Sequence, residues 1–334
     1  MNRPNWEKMI FYVILMAILV CVPVFFRNLY QLGVITFMLV NVLLAVSCWF
    51  IMTTGQVTLG HAGFAAIGGY LSAALTARYG LSSWWSLLIA MVTAGMIAFV
   101  IGYITLRIKG IYFIVATLAL GEVIRVVFGA WDHPFGGLVG IMNLPSPNPI
   151  IIPGLPTIEW GSKVSLYYLT LVLSLIGIVM MHRVNRSPIG LVFQGIRQAD
   201  DLAENVGINI MGYKVLAFVM GCMFAGMAGV LYTYIVGSIQ PSSFTLIQSA
   251  YYLVYVAVGG SINVFGPILG ALVLNILSEF LRPVKEFEPI VFALVLIGAV
   301  LLLRGGLIGL LEALRRRTNA VSARICGKAF KTVS

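Results

Sequence analysis

Two ionisable side chains in the stretch TLALGEVIRVVFGAW, Glu122 and Arg125, sit inside an otherwise apolar run of a 334-residue chain. Three positions apart, they share one face of a helix. There they can neutralise each other and hold a bundle together, or they can lie on the path of a polar solute. Either role is costly in lipid unless the charges are paired or wetted. A second polar group, Gln56, Thr58 and His61 in TTGQVTLGHAGF, lies among glycines between two apolar runs. Irregular backbone lining a wet cavity has this composition, and so does an ordinary cytoplasmic turn. The three histidines, His61, His133 and His182, are far apart, with no HExxH pattern and no neighbouring carboxylate. The four cysteines, Cys21, Cys48, Cys222 and Cys326, have neither metal nor disulfide spacing. We therefore expect no metal site and no catalytic residue. A membrane-embedded enzyme would need a nucleophile, a metal cluster or paired carboxylates. No GxxxxGK[ST] phosphate loop occurs, so any ATP must be held by another chain.

The elements that must position these residues are membrane helices. The chain is 60% hydrophobic and 10% charged, against about 25% charged in soluble domains, and its mean hydropathy is +1.01. A crossing takes about 20 mostly apolar residues. Runs of that kind predict an all-α polytopic membrane protein with about ten spans, near 9–27, 32–52, 62–77, 83–106, 111–131, 164–182, 213–237, 244–258, 262–281 and 289–303. The third and eighth are short enough to be broken or re-entrant. The first follows Arg3 and Lys8, lacks a small-residue cleavage pattern and is expected to be a retained span.

With the N-terminus in the cytoplasm, most basic residues fall inside, among them Arg107, Lys109, Arg183, Arg186, Arg197, Lys214 and Arg304. Arg27, Arg78, Lys163, Arg282 and Lys285 fall outside. This bias puts both termini in the cytoplasm and accounts for the net charge of +10 without nucleic acid. Residues 1–310 form one transmembrane domain. Residues 311–334, with the cluster Arg315, Arg316 and Arg317, form a basic tail expected at anionic cytoplasmic lipid. The Pro-rich segment His133 to Ser162 is an external loop. LGHAGFAAIGGYLSAAL (Leu59 to Leu75) and VGGSINVFGPILGALVL (Val258 to Leu274) each join a Gly-rich connection to a small-residue helix, which suggests two loosely related halves. Gly221, Ala225 and Gly229, and Gly266 and Gly270, are spaced for close helix packing, with pore lining as the other use.

The segment SPIGLVFQGIRQADDLAENVGIN, Ser187 to Asn209, cannot enter lipid. On one continuous helix Ile189, Val192, Ile196, Ala199, Ala203 and Val206 would form an apolar stripe, with the charged and amide side chains largely off it. Ser187-Pro188 is a start signal and Gly207 a C-terminal cap. The mixed charge argues against simple adsorption to lipid. A groove on a partner is one destination for such a helix, and solvent or the interface is the other.

This segment resembles the cytoplasmic signature of bacterial ABC-importer permeases, specifically branched-chain amino acid permease subunits of the LivM type. TTGQVTLGHAGFAAIGGY, TLRIKGIYFIVATLALGEVIR, FGGLVGI, KVLAFVMGCMFAGMAGVLY, VAVGGSINVFGPILGA and RGGLIGL are similar to the same family, in one order from about Val46 to Leu310. Leu191 stands where the family usually has Arg, Gly195 where Ala is common, and Gln198-Ala199 where Glu-Asn is typical. The resemblance implies a permease subunit that makes no covalent bond. It implies a second related permease, two cytoplasmic ATPase subunits carrying ATP and Mg, and a periplasmic binding protein, in a bacterial inner membrane. It makes 187–209 the coupling helix, anchored by Gly190, Arg197, Glu204 and Gly207. For the solute path we name Gln56, His61, Tyr112, Thr117 and Glu122. The expected solutes are Leu, Ile and Val; urea, short-chain amides or aromatic acids are the alternatives within the family. Outside it, the alternative is an ion-coupled secondary transporter with Glu122 as carrier.

Overall fold

The computed structural model describes residues 6–25, 28–108, 110–150, 159–282, 287–302 and 306–309. The basic tail 311–334, Pro153 and Pro156 of the external loop, and Arg3, Arg27, Lys109, Lys285 and Arg304 lie outside the described residues. The helices run in the order α1 (Trp6–Phe25), α2 (Leu29–Met52), α3 (His61–Ala77), α4 (Ser83–Thr105), α5 (Ile111–Ala130) and the short α6 (Asp132–Phe135). They continue with α7 (Lys163–Arg186), α8 (Pro188–Gln198), α9 (Asp200–Asn205), α10 (Ile210–Val236), α11 (Leu246–Gly259), α12 (Phe265–Leu281) and α13 (Glu288–Leu302). Among the described residues there is no strand, and the chain is all-α. Five helices, α2, α4, α5, α7 and α10, are long and apolar enough to cross a membrane by length and composition. The third and eighth apolar segments form shorter helices of 17 and 14 residues.

The centre of the bundle is where small residues let backbones touch. The apolar windows of α2 and α10 are each 72% buried, against 17% for α5, so α2 and α10 form the middle and α5 lies at the edge. A Cβ on Gly68 of α3 would lie 2.2 Å from the Gly226 carbonyl oxygen of α10, and one on Gly229 would lie 1.9 Å from that of Ala65. A Cβ on Gly221 would meet Ile51 at 2.5 Å. Gly221, Ala225 and Gly229 therefore serve close packing, as the 3–4 spacing predicted. Gly266 and Gly270 do the same in α12, facing the Gly260 and Tyr255 carbonyls.

Proline shapes the way α1 is attached. Pro23 has no N–H, so the helical bond to the Leu19 carbonyl cannot form. The Tyr167 hydroxyl of α7 donates to that Leu19 oxygen at 2.6 Å, and the neighbouring Tyr168 hydroxyl donates to the Val20 oxygen at 3.0 Å. At the end of the bundle where α3 and α10 finish, the segment after α6 pairs with the segment after α10. Ile141 and Ile239 exchange backbone bonds of 3.0 and 2.9 Å, and Asn148 Oδ1 accepts from the Ser83 N–H and hydroxyl. These bonds tie the loop down beside α4 and α10.

Candidate functional site

At the opposite end, α7 turns abruptly into α8. A Cβ on Gly190 would lie 1.9 Å from the Asn185 carbonyl oxygen, so only glycine lets α8 fold back against the end of α7. The buried face of α8 is Gly190, Phe193 and Ile196. The Phe193 ring meets Phe50 edge-on at 5.8 Å and Tyr213 at 6.3 Å. The single amphipathic helix expected over 187–209 is instead two helices. Ala199 between them is extended, with φ −160° and ψ 98°. That break resets the helical phase, so the predicted stripe does not hold together. Ile196 and Ala203 are buried, but Ile189 is 37% and Val206 79% exposed. Phe193, absent from the predicted stripe, is the residue that seats the segment. Gly207, at φ +85°, ends α9 in the left-handed conformation suited to glycine, and its N–H bonds to the Glu204 carbonyl at 2.8 Å.

Two side-chain links hold this segment to the bundle. Lys214 of α10, 4% exposed, pairs its ammonium with Asp200 Oδ2 at 2.6 Å. Arg197 donates from Nη2 to Ser261 Oγ at 2.9 Å and from Nη1 to the Ser261 carbonyl at 3.5 Å, and Trp49 Nε1 donates to the same carbonyl at 3.0 Å. The segment is thus tied to α10 and to the turn between α11 and α12. Glu204 is exposed, and so are Leu191 and Leu202, at 68% and 67%. Sequence reasoning passed over Lys214, Asp200 and Ser261. The available signal was a lone lysine in the first turns of an apolar helix, which burial would force to find an acid.

The five residues named for a solute path fall on the segment between α2 and α3, on the first residue of α3 and on α5. Gln56 lines a cleft of about 450 Å³ beside Arg197, Asp200 and Lys214, where Gly110 and Ile114 of the α5 start form the facing wall. Thr117 Oγ1 accepts from the Leu59 N–H at 3.2 Å and donates to the Ile114 carbonyl at 2.9 Å. Close by, a Cβ on Gly60 would lie 2.4 Å from the Thr117 oxygen. His61 is fully buried, with Nε2 hydrogen-bonded to Ser47 Oγ at 2.7 Å and Nδ1 lacking a partner among the described residues. Tyr112 is 73% exposed. Glu122 Oε2 accepts from Arg125 Nε at 2.7 Å, and its Oε1 accepts from the Leu246 N–H at 3.1 Å, which caps α11. With both oxygens engaged, Glu122 ties α5 to α11. Among the described residues no three His, Cys, Asp or Glu side chains come together as metal ligands. This end of the molecule is an outer pair of helices seated on Phe50 of α2, on α10 and on the α11–α12 turn.

Residues 30–304 match the family described as branched-chain amino acid transport system, permease component. The chain belongs to this family. It is a multi-pass membrane protein of the branched-chain amino acid permease type. It is 30% identical over 252 residues to the high-affinity branched-chain amino acid transport system permease protein LivM of Escherichia coli (strain K12), a match covering 70% of this chain and 59% of that protein. The same figures hold for LivM of Salmonella typhimurium. A probable branched-chain amino acid transport permease protein LivM of Methanocaldococcus jannaschii is 23% identical over 231 residues, 65% of either chain. The match spans about three fifths of the first two relatives. No solved structure matches the chain.

Proposed function

We propose that this chain is a permease subunit of an ATP-driven importer that carries Leu, Ile and Val across a bacterial inner membrane. It works beside a second, related permease, two ATPase subunits that hold ATP and Mg, and a periplasmic binding protein. The ten helical segments cross the membrane, with both termini and the α8–α9 segment in the cytoplasm and the α6 end outside. The observation that carries the proposal is α8–α9 itself. Leu191, Leu202 and Val206 are exposed apolar side chains on a segment too polar to lie in lipid, a combination suited to a partner groove. The inner side of the same segment is pinned by Lys214 and Arg197. An ATPase that grips the outer face moves α10 and the α11–α12 turn with it, and the bundle then alternates access.

The test is copurification of the ATPase subunits with the full chain, followed by ATP-dependent leucine uptake in proteoliposomes. Leu202→Asp and Glu204→Arg should weaken copurification while membrane insertion stays normal. Unchanged assembly and transport in both variants overturns the docking role. Uptake by this chain alone, driven by an ion gradient, overturns the importer reading.

A further inference from the structure

Away from the α8–α9 end, a cavity of about 210 Å³ lies between α2, α3, α10 and α11. Four rings line it, those of Phe37, Tyr232, Phe244 and Tyr252. Phe37 and Tyr232 meet edge-on at 5.5 Å, and Tyr232 and Phe244 at 5.3 Å. Asn41 and Gln248 are the amides in its wall. Asn41 donates to Asn275 Oδ1 at 2.6 Å across the α2–α12 contact. The Gln248 carboxamide and the hydroxyls of Tyr232 and Tyr252 line the space without a side-chain hydrogen bond among the described residues; Gln248 and Tyr232 are half-buried and Tyr252 is buried. Facing a cavity with their donors and acceptors uncommitted, these groups can bond a polar guest. No charged side chain lines the cavity, so a guest with net charge would be stranded in a medium that penalises it.

A second cleft, of about 440 Å³, adjoins the first and shares Phe37, Asn41 and Gln248 with it. Its far wall carries both signs of charge, Lys163, Glu279 and Arg282. Arg282 Nη1 lies 3.7 Å from Glu279 Oε1 and its guanidinium sits 4.6 Å from the Tyr30 ring. The Tyr30 hydroxyl donates to the same carboxylate.

We infer that the inner cavity is a holding site for one small zwitterionic amino acid with an aliphatic side chain, entered from the cleft at Lys163, Glu279 and Arg282. This rests on the importer reading above and adds a location for the solute. The cleft offers a carboxylate to an ammonium group and cations to a carboxylate. The cavity then offers neutral amide and hydroxyl partners to a solute whose charges cancel, and aromatic faces to its side chain. Its volume, about seven water molecules at roughly 30 Å³ each, admits one amino acid and excludes a peptide. The site lies between α2 and α11, whereas Gln56, Thr117 and Glu122 sit along α5 and its neighbours.

The test uses the assembled importer in proteoliposomes, with the binding protein saturated and ATP supplied, and reads maximal uptake of leucine and valine. Gln248→Leu keeps the bulk and removes the unpartnered amide. It should lower both maximal rates about tenfold, the worth of one hydrogen bond to a buried group. Phe37→Trp narrows the passage between cleft and cavity and should shift the leucine-to-valine ratio about tenfold toward valine, as a methylene-sized difference does in a tight site. A folding defect lowers both solutes alike, so the ratio decides. Wild-type rates in Gln248→Leu with an unshifted ratio in Phe37→Trp overturn the site while wild-type uptake leaves the importer reading standing. A wild-type complex that imports no amino acid overturns both.

Discussion

The ion pair between Lys214 and Asp200 is asymmetric, and the asymmetry predicts which half is the more damaging to remove. The lysine side chain is 4% exposed and the aspartate 25%. Asp200→Asn strips the counter-charge from an ammonium that has almost no access to water, and breaking a buried pair in this way costs about 3–5 kcal/mol. Lys214→Met removes the cation and fills its space with a side chain of similar shape. The carboxylate left behind reaches water over a quarter of its surface, so the loss is nearer about 1 kcal/mol, the net worth of a hydrogen bond. The double variant, Lys214→Met with Asp200→Asn, should recover most of the difference, because no ion is then buried. At roughly 2 °C per kcal/mol, thermal denaturation of the full chain in detergent should place Asp200→Asn about 6 °C or more below wild type. Lys214→Met should fall about 2 °C below. Equal losses for the two single variants, or a double variant no better than Asp200→Asn, would refute the claim that the buried ammonium sets the energetics of this link.

Tyr167→Phe leaves the Leu19 oxygen, already without its helical donor at Pro23, with no hydroxyl to accept from. It should cost about 1 kcal/mol and appear as faster proteolysis or cysteine labelling of α1, with transport retained. Glu122→Gln removes the charge that pairs with Arg125 while keeping an oxygen for the Leu246 N–H. Thermal stability should fall slightly and the maximal uptake rate should stay the same; a proton-carrying Glu122 would instead abolish transport. Gly195→Ala and Gly229→Ala should have opposite signs. Nothing lies within 4 Å of a Cβ on Gly195 inside exposed α8, whereas one on Gly229 would press to 1.9 Å from the Ala65 oxygen. The first should stabilise by about 0.5–1 kcal/mol, and the second should destabilise by about 1–3 kcal/mol or more, as read by melting temperature.

Much of the fold could be read from the sequence because lipid imposes a simple rule on it. Each predicted apolar segment is largely helical where the structure describes it, with 244–245 and 262–264 lying before α11 and α12 begin, and a backbone in hydrocarbon has to satisfy its own hydrogen bonds. The glycines of α10 were also readable, because close approach demands small residues at helical spacing. The α8–α9 segment was half readable. Its polarity and its terminal signals at Ser187 and Gly207 follow from local chemistry, but its buried face does not. One extended residue at Ala199 turns the phase of everything after it, and periodicity counted through that residue assigns Ile189 and Val206 to a face they do not share. Phe193 was overlooked because it falls outside a pattern that assumes a continuous helix.

The inner cavity shows a different reason for a site to escape sequence analysis. Glu122 and Arg125 draw attention because charges are rare in apolar runs, yet each satisfies the other and Glu122 also satisfies the α11 terminus. A charge that carries its own partner needs nothing further from the fold. Asn41, Tyr232, Gln248 and Tyr252 are neutral, and they lie on three helices, α2, α10 and α11. Taken one helix at a time, each is an ordinary interfacial or packing residue. Only the crossing of α2, α10 and α11 brings them around one space. For a solute that is polar but uncharged overall, neutral groups gathered around a cavity between helices mark a path better than ionised groups that have already paired.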